Sequence, residues 1–94
     1  MKSVKLFYLK HCPYCIKAKE AIAELYAENP NYKTIQIESI NEEVHPEIAE
    51  QFEYYYVPTI FYGYEKLYEA QPGQSYEEIK SCIRKAFDRI TELE

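Results

Sequence analysis

The segment LKHCPYCIKAKE (residues 9–20) places two cysteines three positions apart, with a proline directly after the first and lysines on both sides. Upstream, the segment SVKLFYL (residues 3–9) is rich in strand-forming residues and alternates in part, which predicts a strand. From Pro13 to about residue 28, apolar residues recur at helical spacing. The cysteine pair therefore lies where a strand ends and a helix begins.

A second strand is predicted in YKTIQIES (residues 32–39), where Ile35 and Ile37 point to one face. Strand, helix and strand in this order form a β-α-β unit, in which the two strands run parallel. The first 39 residues therefore predict a parallel strand pair that is linked by the cysteine-bearing helix.

The remainder of the chain predicts a short helix, a hairpin and a final helix. The short helix lies within NEEVHPEIAEQF (residues 41–52), whose proline suits a first helical turn. Two strands follow around Gly63 in VPTIFYGYEKLYEA (residues 57–70), which is a hairpin pattern. Ser75 and Glu78 form a capping box that begins the last helix. The sequence thus predicts an α/β fold with the order β-α-β-α-β-β-α.

The length of 94 residues predicts a single domain over residues 1–94. Hydrophobic residues make up 47% and charged residues 29%, which is typical of a folded globular protein and not of a disordered chain. The N-terminal apolar run is interrupted by Lys5 and ends at Lys10, too short for a secretory signal, and no segment approaches the ~18 apolar residues of a membrane span. These features predict a cytoplasmic protein that does not associate with membranes, and a monomer is the default expectation for its oligomeric state.

Charge and cysteine content narrow the classes of function. The net charge is −5, and residues 1–19 hold five lysines and no acidic residue, whereas residues 20–94 hold six basic and sixteen acidic residues. Nucleic-acid binding is not expected, because phosphate contacts need clustered basic side chains that most of this chain lacks. Three cysteines are too few for a disulfide-stapled scaffold, and in a reducing compartment a disulfide is usually transient and catalytic.

The start of the first helix has consequences for the two thiols. If the helix begins just after Cys12, that residue is the N-cap and Pro13 is the first helical residue. The sulfur of Cys12 then faces the free backbone N–H groups of Tyr14 and Cys15, and the helix dipole together with Lys10 stabilises a thiolate. Cys15 lies on the same helix face and points inward. This arrangement predicts an attacking thiol and a resolving thiol.

A metal site is the alternative interpretation of two close cysteines. Zinc needs four ligands, which commonly include a second close pair, and the sequence has none. The remaining cysteine, Cys82, lies on the last helix beside Ile79 and Ile83 and is predicted to be a buried apolar residue. A CxxC that opens the helix of a β-α-β unit indicates thiol–disulfide chemistry, so no metal is predicted.

Two motifs resemble a known family. The sequence CPYC at 12–15, followed by IKAKEAI, resembles the active-site helix of dithiol glutaredoxins, and Val57-Pro58 resembles the cis-proline motif of the thioredoxin superfamily. Spacing alone predicts a trans Pro58 at a strand start, since only about 5–6% of X–Pro bonds are cis, whereas the resemblance implies a cis bond. The resemblance extends over almost the whole chain.

The resemblance implies a thioredoxin-like fold, with a four-stranded mixed sheet and helices on both faces. It also implies that Cys12 is the nucleophile, that Cys15 is the resolving thiol, and that the Val57 backbone forms β-type hydrogen bonds with the peptide of the substrate beside Pro58. The partners it implies are disulfide-containing proteins.

Glutathione is the electron donor that the resemblance implies, with no resident cofactor. Lys10 and Tyr14 match positions that bind glutathione in glutaredoxins. The segment EAQPGQS (residues 69–75) replaces the Gly-Gly and aspartate segment of that family, and its Gly73 and Ser75, with Gln71, offer backbone and hydroxyl groups to a carboxylate at the helix N-terminus.

Other departures keep alternatives open. Tyr56 stands where glutaredoxins have a threonine, and Thr59 is more typical of thioredoxins. One alternative is therefore a small glutaredoxin-like thioredoxin that is reduced by a thioredoxin-reductase-type flavoenzyme. Another is a non-catalytic module in which the disulfide switches an interaction, with the tyrosines at 54–56 as the contact surface. A third is a cluster or metal carrier that uses Cys12.

Overall fold

The computed structural model describes residues 2–94. The strands are β1 (Val4–Tyr8), β2 (Ile37–Asn41), β3 (Thr59–Tyr62) and β4 (Glu65–Glu69), and the helices are α1 (Pro13–Glu28), α2 (Pro46–Ala49) and α3 (Tyr76–Leu93). A 3₁₀ helix (Pro30–Thr34) lies between α1 and β2. The order along the chain confirms the predicted β-α-β-α-β-β-α, with the 3₁₀ helix as an addition.

The four strands form one sheet in the order β2-β1-β3-β4. Strands β1 and β2 are parallel, as the β-α-β unit predicted. Strand β3 runs antiparallel to both of its neighbours. The sheet is therefore mixed, and the predicted thioredoxin-like fold is confirmed.

One face of the sheet is covered by α1 and α3, which also pack against each other. Each helix buries a stripe at intervals of three or four residues, so that one side contacts the sheet. The buried residues of the two helices are Cys15, Ala18, Ala21 and Leu25 in α1 and Ile79, Ile83, Ala86, Phe87 and Ile90 in α3. Within residues 2–94, no helix has the length and apolar composition needed to cross a membrane.

The opposite face carries α2 and an aromatic cluster centred on Phe7, which is fully buried. The ring centroid of Phe7 lies 5.0 Å from that of Phe52, 5.0 Å from that of Tyr54 and 5.9 Å from that of Phe61. Helices thus lie on both faces of the sheet, as predicted. The cluster also anchors Tyr54, which begins the loop that leads to Val57 and Pro58.

The β3–β4 hairpin has a two-residue loop and a bulge. Gly63 has a φ of +62°, which suits the first central position of a type II′ turn and is unfavourable for a side-chain-bearing residue. In the ladder, Phe61 pairs with Lys66 while Ile60 pairs with Tyr68, so Leu67 is an extra residue in β4.

The predicted bounds of the second strand were wrong. The sequence predicted a strand over residues 32–39, whereas β2 comprises Ile37–Asn41 and residues 32–34 belong to the 3₁₀ helix. Asn29 caps that helix, because its side chain accepts a hydrogen bond from the Asn31 N–H at 3.1 Å. Pro30 occupies the first turn, where its missing N–H costs nothing. This local capping outweighs the strand preference of the isoleucines that follow.

Candidate active site

Helix α1 begins as the sequence predicted, with Cys12 as the N-cap and Pro13 in the first turn. The orientation of the Cys12 side chain differs from the prediction, because it forms no capping hydrogen bond with the N–H groups of the first turn. Its Sγ instead lies 3.7 Å from the backbone oxygen of Val57, to which the thiol donates. Cys12 is partly exposed, and both it and Cys15 are free thiols.

Cys15 is buried, with 8% of its surface exposed. Its Sγ accepts a hydrogen bond from the Leu9 N–H at 3.5 Å. Burial raises the pKa of the Cys15 thiol to about 12, the Leu9 hydrogen bond opposes this, and the neighbouring Cys12 adds to it. Cys15 is therefore a protonated, shielded thiol at neutral pH.

The Val57–Pro58 peptide bond is cis, as the resemblance implied and contrary to what spacing alone predicted. Pro58 is fully buried, whereas Val57 is partly exposed beside the Cys12 thiol. The contact between Cys12 and Val57 joins two motifs that are 45 residues apart in the chain. The fold thus brings together the cysteine pair and the proline motif.

The residues before Val57 are held by side chains from two strands. The backbone N–H groups of Tyr55 and Tyr56 donate to Oε2 of Glu69, at 2.5 and 2.9 Å. The hydroxyl of Thr59 donates to the backbone oxygen of Tyr56 at 2.5 Å. The sequence assigned no role to Glu69, since an acidic residue at a strand end gives no sign of a partner thirteen or fourteen residues earlier.

The predicted glutathione-binding residues differ in their exposure and in their hydrogen-bond partners. Lys10 is exposed at the surface. Tyr14 reaches the segment before α3, where its hydroxyl accepts a hydrogen bond from the Gly73 N–H at 2.6 Å. Ser75 forms the predicted capping box with Glu78 at the start of α3. The structure therefore brings Tyr14 and Gly73 together, while the Ser75 N–H donates to the Glu78 carboxylate and the Ser75 hydroxyl accepts from the Glu78 N–H.

Cys82 is only partly buried, whereas the sequence predicted a buried apolar residue. It packs against the α1–α3 core, and its Sγ lies 3.7 Å from Nε2 of Gln74. The part of the chain that the structure describes holds no group of three or more His, Cys, Asp or Glu side chains placed to bind a metal ion.

Comparison with known families gives a match over this same region. The Glutaredoxin family model matches residues 4–66, which is more than half of the chain and includes the cysteine pair, Val57 and Pro58. The chain belongs to the glutaredoxin family. Among curated proteins, no significant match to this glutaredoxin is found.

A solved structure described as "Structure of a malarial protein" shares the fold of this glutaredoxin. The two chains are 20% identical, the TM-score is 0.58, and the match covers 87% of this chain and 92% of the other. At this identity the similarity concerns the fold alone.

The unequal burial of the two thiols predicts selective alkylation in this glutaredoxin. At neutral pH we expect iodoacetamide to modify Cys12 at least about tenfold faster than Cys15, because alkylation needs an accessible thiolate. In a Cys12→Ser variant, the rate at Cys15 should rise as the pH increases above neutrality, because burial still raises the pKa of its thiol. Peptide mapping by mass spectrometry measures both rates. Equal modification of the two cysteines at neutral pH would contradict the arrangement described above.

Proposed function

We propose that the protein is a dithiol–disulfide oxidoreductase in which Cys12 attacks a substrate disulfide and Cys15 resolves the intermediate. The observation that carries this proposal is the contrast between two thiols one helical turn apart. Cys12 is partly exposed at the start of α1, whereas Cys15 is buried and its thiol pKa is raised to about 12. Membership of the glutaredoxin family supports thiol redox chemistry in general.

The reaction proceeds by two thiol–disulfide exchanges. The sulfur of Cys12 attacks one substrate sulfur, so that a Cys12–substrate bond forms, the substrate S–S bond breaks and the first substrate thiolate leaves and is protonated. Cys15 then loses its proton and attacks the Cys12 sulfur, which releases the second substrate thiol. The product is a Cys12–Cys15 disulfide, and two electrons have passed from the protein to the substrate.

The backbone of Val57 supports an assignment of protein disulfides as substrates. Its carbonyl oxygen lies 3.7 Å from the Cys12 Sγ and points toward the reacting thiol. An extended peptide next to a substrate cysteine can form β-type hydrogen bonds with such a backbone. The peptide would displace the Cys12 thiol from the carbonyl as the mixed disulfide forms.

The electron donor is proposed to be glutathione, which would use Lys10 and Tyr14 together with Gly73 and Ser75. Hydrogen bonds within the protein favour a second candidate. The Gly73 N–H donates to the Tyr14 hydroxyl and the Ser75 N–H donates to the Glu78 carboxylate, so both N–H groups already have partners within the protein. A thioredoxin-reductase-type flavoenzyme, which docks on the surface and does not insert a carboxylate, needs none of these groups. With either donor, we propose a cytoplasmic monomer, since the exchange needs a reducing compartment.

Re-reduction of the oxidised protein tests this function. The protein is supplied with a peptide disulfide and with either glutathione, glutathione reductase and NADPH, or thioredoxin reductase and NADPH. We expect repeated turnover, seen as NADPH consumption above that of the donor system alone. Turnover with the glutathione system supports glutathione as the donor. Turnover only with thioredoxin reductase supports the flavoenzyme as the donor. Consumption that stays at the background with both donors would refute the oxidoreductase assignment.

A further inference from the structure

Residues 55 and 56, directly before Val57, are held by their backbone and only weakly by their side chains, unlike Tyr54, whose ring packs in the aromatic cluster. Tyr55 is 91% exposed and Tyr56 is 48% exposed, so neither ring is packed into the core. Both backbone N–H groups nevertheless donate to the same oxygen of Glu69. Hydrogen bonds to a charged acceptor are shorter and stronger than those between neutral groups. Glu69 is therefore the principal anchor of this part of the loop.

Glu69 is itself fixed on β4. Its other oxygen accepts a hydrogen bond from Lys66 Nζ at 2.7 Å, and only 12% of its side chain is exposed. Burial disfavours the charged form of Glu69, but the hydrogen bonds from Lys66 and from the two loop amides outweigh it and lower the pKa of the carboxyl. Glu69 is thus an ionised, oriented acceptor at neutral pH.

The ladder between β3 and β4 places this anchor directly beside the proline motif. Glu69 pairs with Thr59 across the two strands, and the Thr59 hydroxyl donates to the Tyr56 carbonyl. The N–H and the carbonyl of Tyr56 are therefore each bonded to a side chain of the hairpin. Val57 is the next residue, and its carbonyl faces Cys12. The orientation of the Val57 backbone thus follows from the position of Glu69.

We propose that Glu69 is a positioning residue for substrate binding: it fixes Tyr55 and Tyr56 so that the Val57 backbone is oriented to pair with the peptide of a disulfide substrate. The inference rests on the proposed function of Cys12 and Cys15. It predicts a requirement that depends on the substrate, because a peptide needs the Val57 backbone whereas a small disulfide without peptide groups needs only the Cys12 thiol.

The test compares these two kinds of disulfide in single-turnover oxidation of the reduced protein, so that no electron donor is required. The probes are a disulfide-bonded peptide and 2-hydroxyethyl disulfide. The variants are Glu69→Ala, Glu69→Gln, which keeps a neutral acceptor oxygen, and the matched control Glu65→Ala, an exposed glutamate of the same strand. Half-saturating concentration and limiting rate are measured for the peptide, and the second-order rate constant for the small disulfide.

For Glu69→Ala we expect the half-saturating peptide concentration to rise about tenfold, which corresponds to about 1.4 kcal/mol, with the limiting rate within about twofold of wild type. The rate with 2-hydroxyethyl disulfide should change less than about twofold, because Cys12 and α1 are untouched. Glu69→Gln should recover about half of the loss in binding free energy, because a neutral acceptor forms weaker hydrogen bonds than a carboxylate. The Glu65→Ala variant should behave as wild type.

Three results would overturn the inference. One is an unchanged half-saturating concentration in Glu69→Ala, and another is an equal loss with both disulfides, which indicates a general structural defect. If Glu69→Ala does not fold, the same two results are looked for in Glu69→Gln, by comparing its reaction with the peptide disulfide and with 2-hydroxyethyl disulfide. A wild-type protein that reduces neither disulfide would overturn the proposed function itself, and this inference with it.

Discussion

Replacing Cys12 by serine is expected to lower the rate of disulfide reduction at least about 10³-fold, equivalent to about 4 kcal/mol of barrier. A serine hydroxyl remains protonated at neutral pH and cannot form the mixed disulfide through which the exchange passes. The N-cap position itself tolerates serine well, so α1 should retain its start at Pro13. The measurement is NADPH-coupled reduction of a peptide disulfide, with circular dichroism to show that the variant is folded.

The other two cysteines supply the controls for this result. Cys15→Ser should still attack a disulfide but should accumulate the mixed disulfide at Cys12, which is detectable as a mass increase that a reductant reverses. Cys82→Ser should keep its activity within about twofold, since Cys82 packs against the core and lies outside the exchange. Full activity in Cys12→Ser, or a mixed disulfide that forms on Cys82, would remove Cys12 from the role of nucleophile.

Truncation of Phe7 to alanine is expected to lower the free energy of unfolding by about 3–5 kcal/mol. The ring is fully buried and contacts the aromatic rings of Phe52, Tyr54 and Phe61, so its loss leaves a cavity that these rings cannot fill without moving. Domains of this size have a total stability of about 5–15 kcal/mol, so the change removes a large share of it. Chemical denaturation, with the midpoint and slope analysed together, measures the loss.

An exposed aromatic residue serves as a control that shows whether the loss of stability comes from burial of the ring or from the loss of an aromatic ring as such. Tyr55 is 91% exposed, so Tyr55→Ala removes an aromatic ring without opening a cavity and should change stability by no more than about 0.5 kcal/mol. Phe7→Leu keeps much of the volume and should lie between Phe7→Ala and wild type. Similar losses in Phe7→Ala and Tyr55→Ala would show that the cluster beneath α2 is not a packed core.

The features that the sequence predicted well depend on residues that are close together in the chain. Pro13 and the helical spacing that follows it fix the start of α1, and Ser75 with Glu78 fixes the start of α3. The two-residue turn at Gly63 is equally local, because the turn type demands glycine. The position of Cys15 one turn after Cys12 follows from the first of these, whereas the direction of the Cys12 sulfur, toward the Val57 carbonyl, does not.

The features that the sequence did not predict arise where two kinds of local structure compete for the same residues, or where residues far apart in the chain are in contact. Residues 32–39 alternate as a strand should, but Asn29 and Pro30 begin a 3₁₀ helix that occupies the first three residues of the segment. The cis bond before Pro58 followed from the family resemblance and not from the spacing of residues. The bonds from Glu69 to the tyrosine loop required the register of the β3–β4 ladder, which no local pattern reveals.

The bulge at Leu67 lets β4 place two consecutive side chains on the same face of the sheet. Residues three apart in a regular strand point to opposite faces, yet Lys66 and Glu69 form an ion pair, because the extra residue reverses the alternation between them. Leu67 and Tyr68 consequently both face the α1–α3 core. Deletion of Leu67 would leave Lys66 and Glu69 two residues apart in a regular strand and still on one face, so it would remove a core side chain without moving the ion pair to another face. The unpaired residue therefore adds a side chain to the core on one side of the sheet, while the charge that holds the loop beside Cys12 stays on the other side.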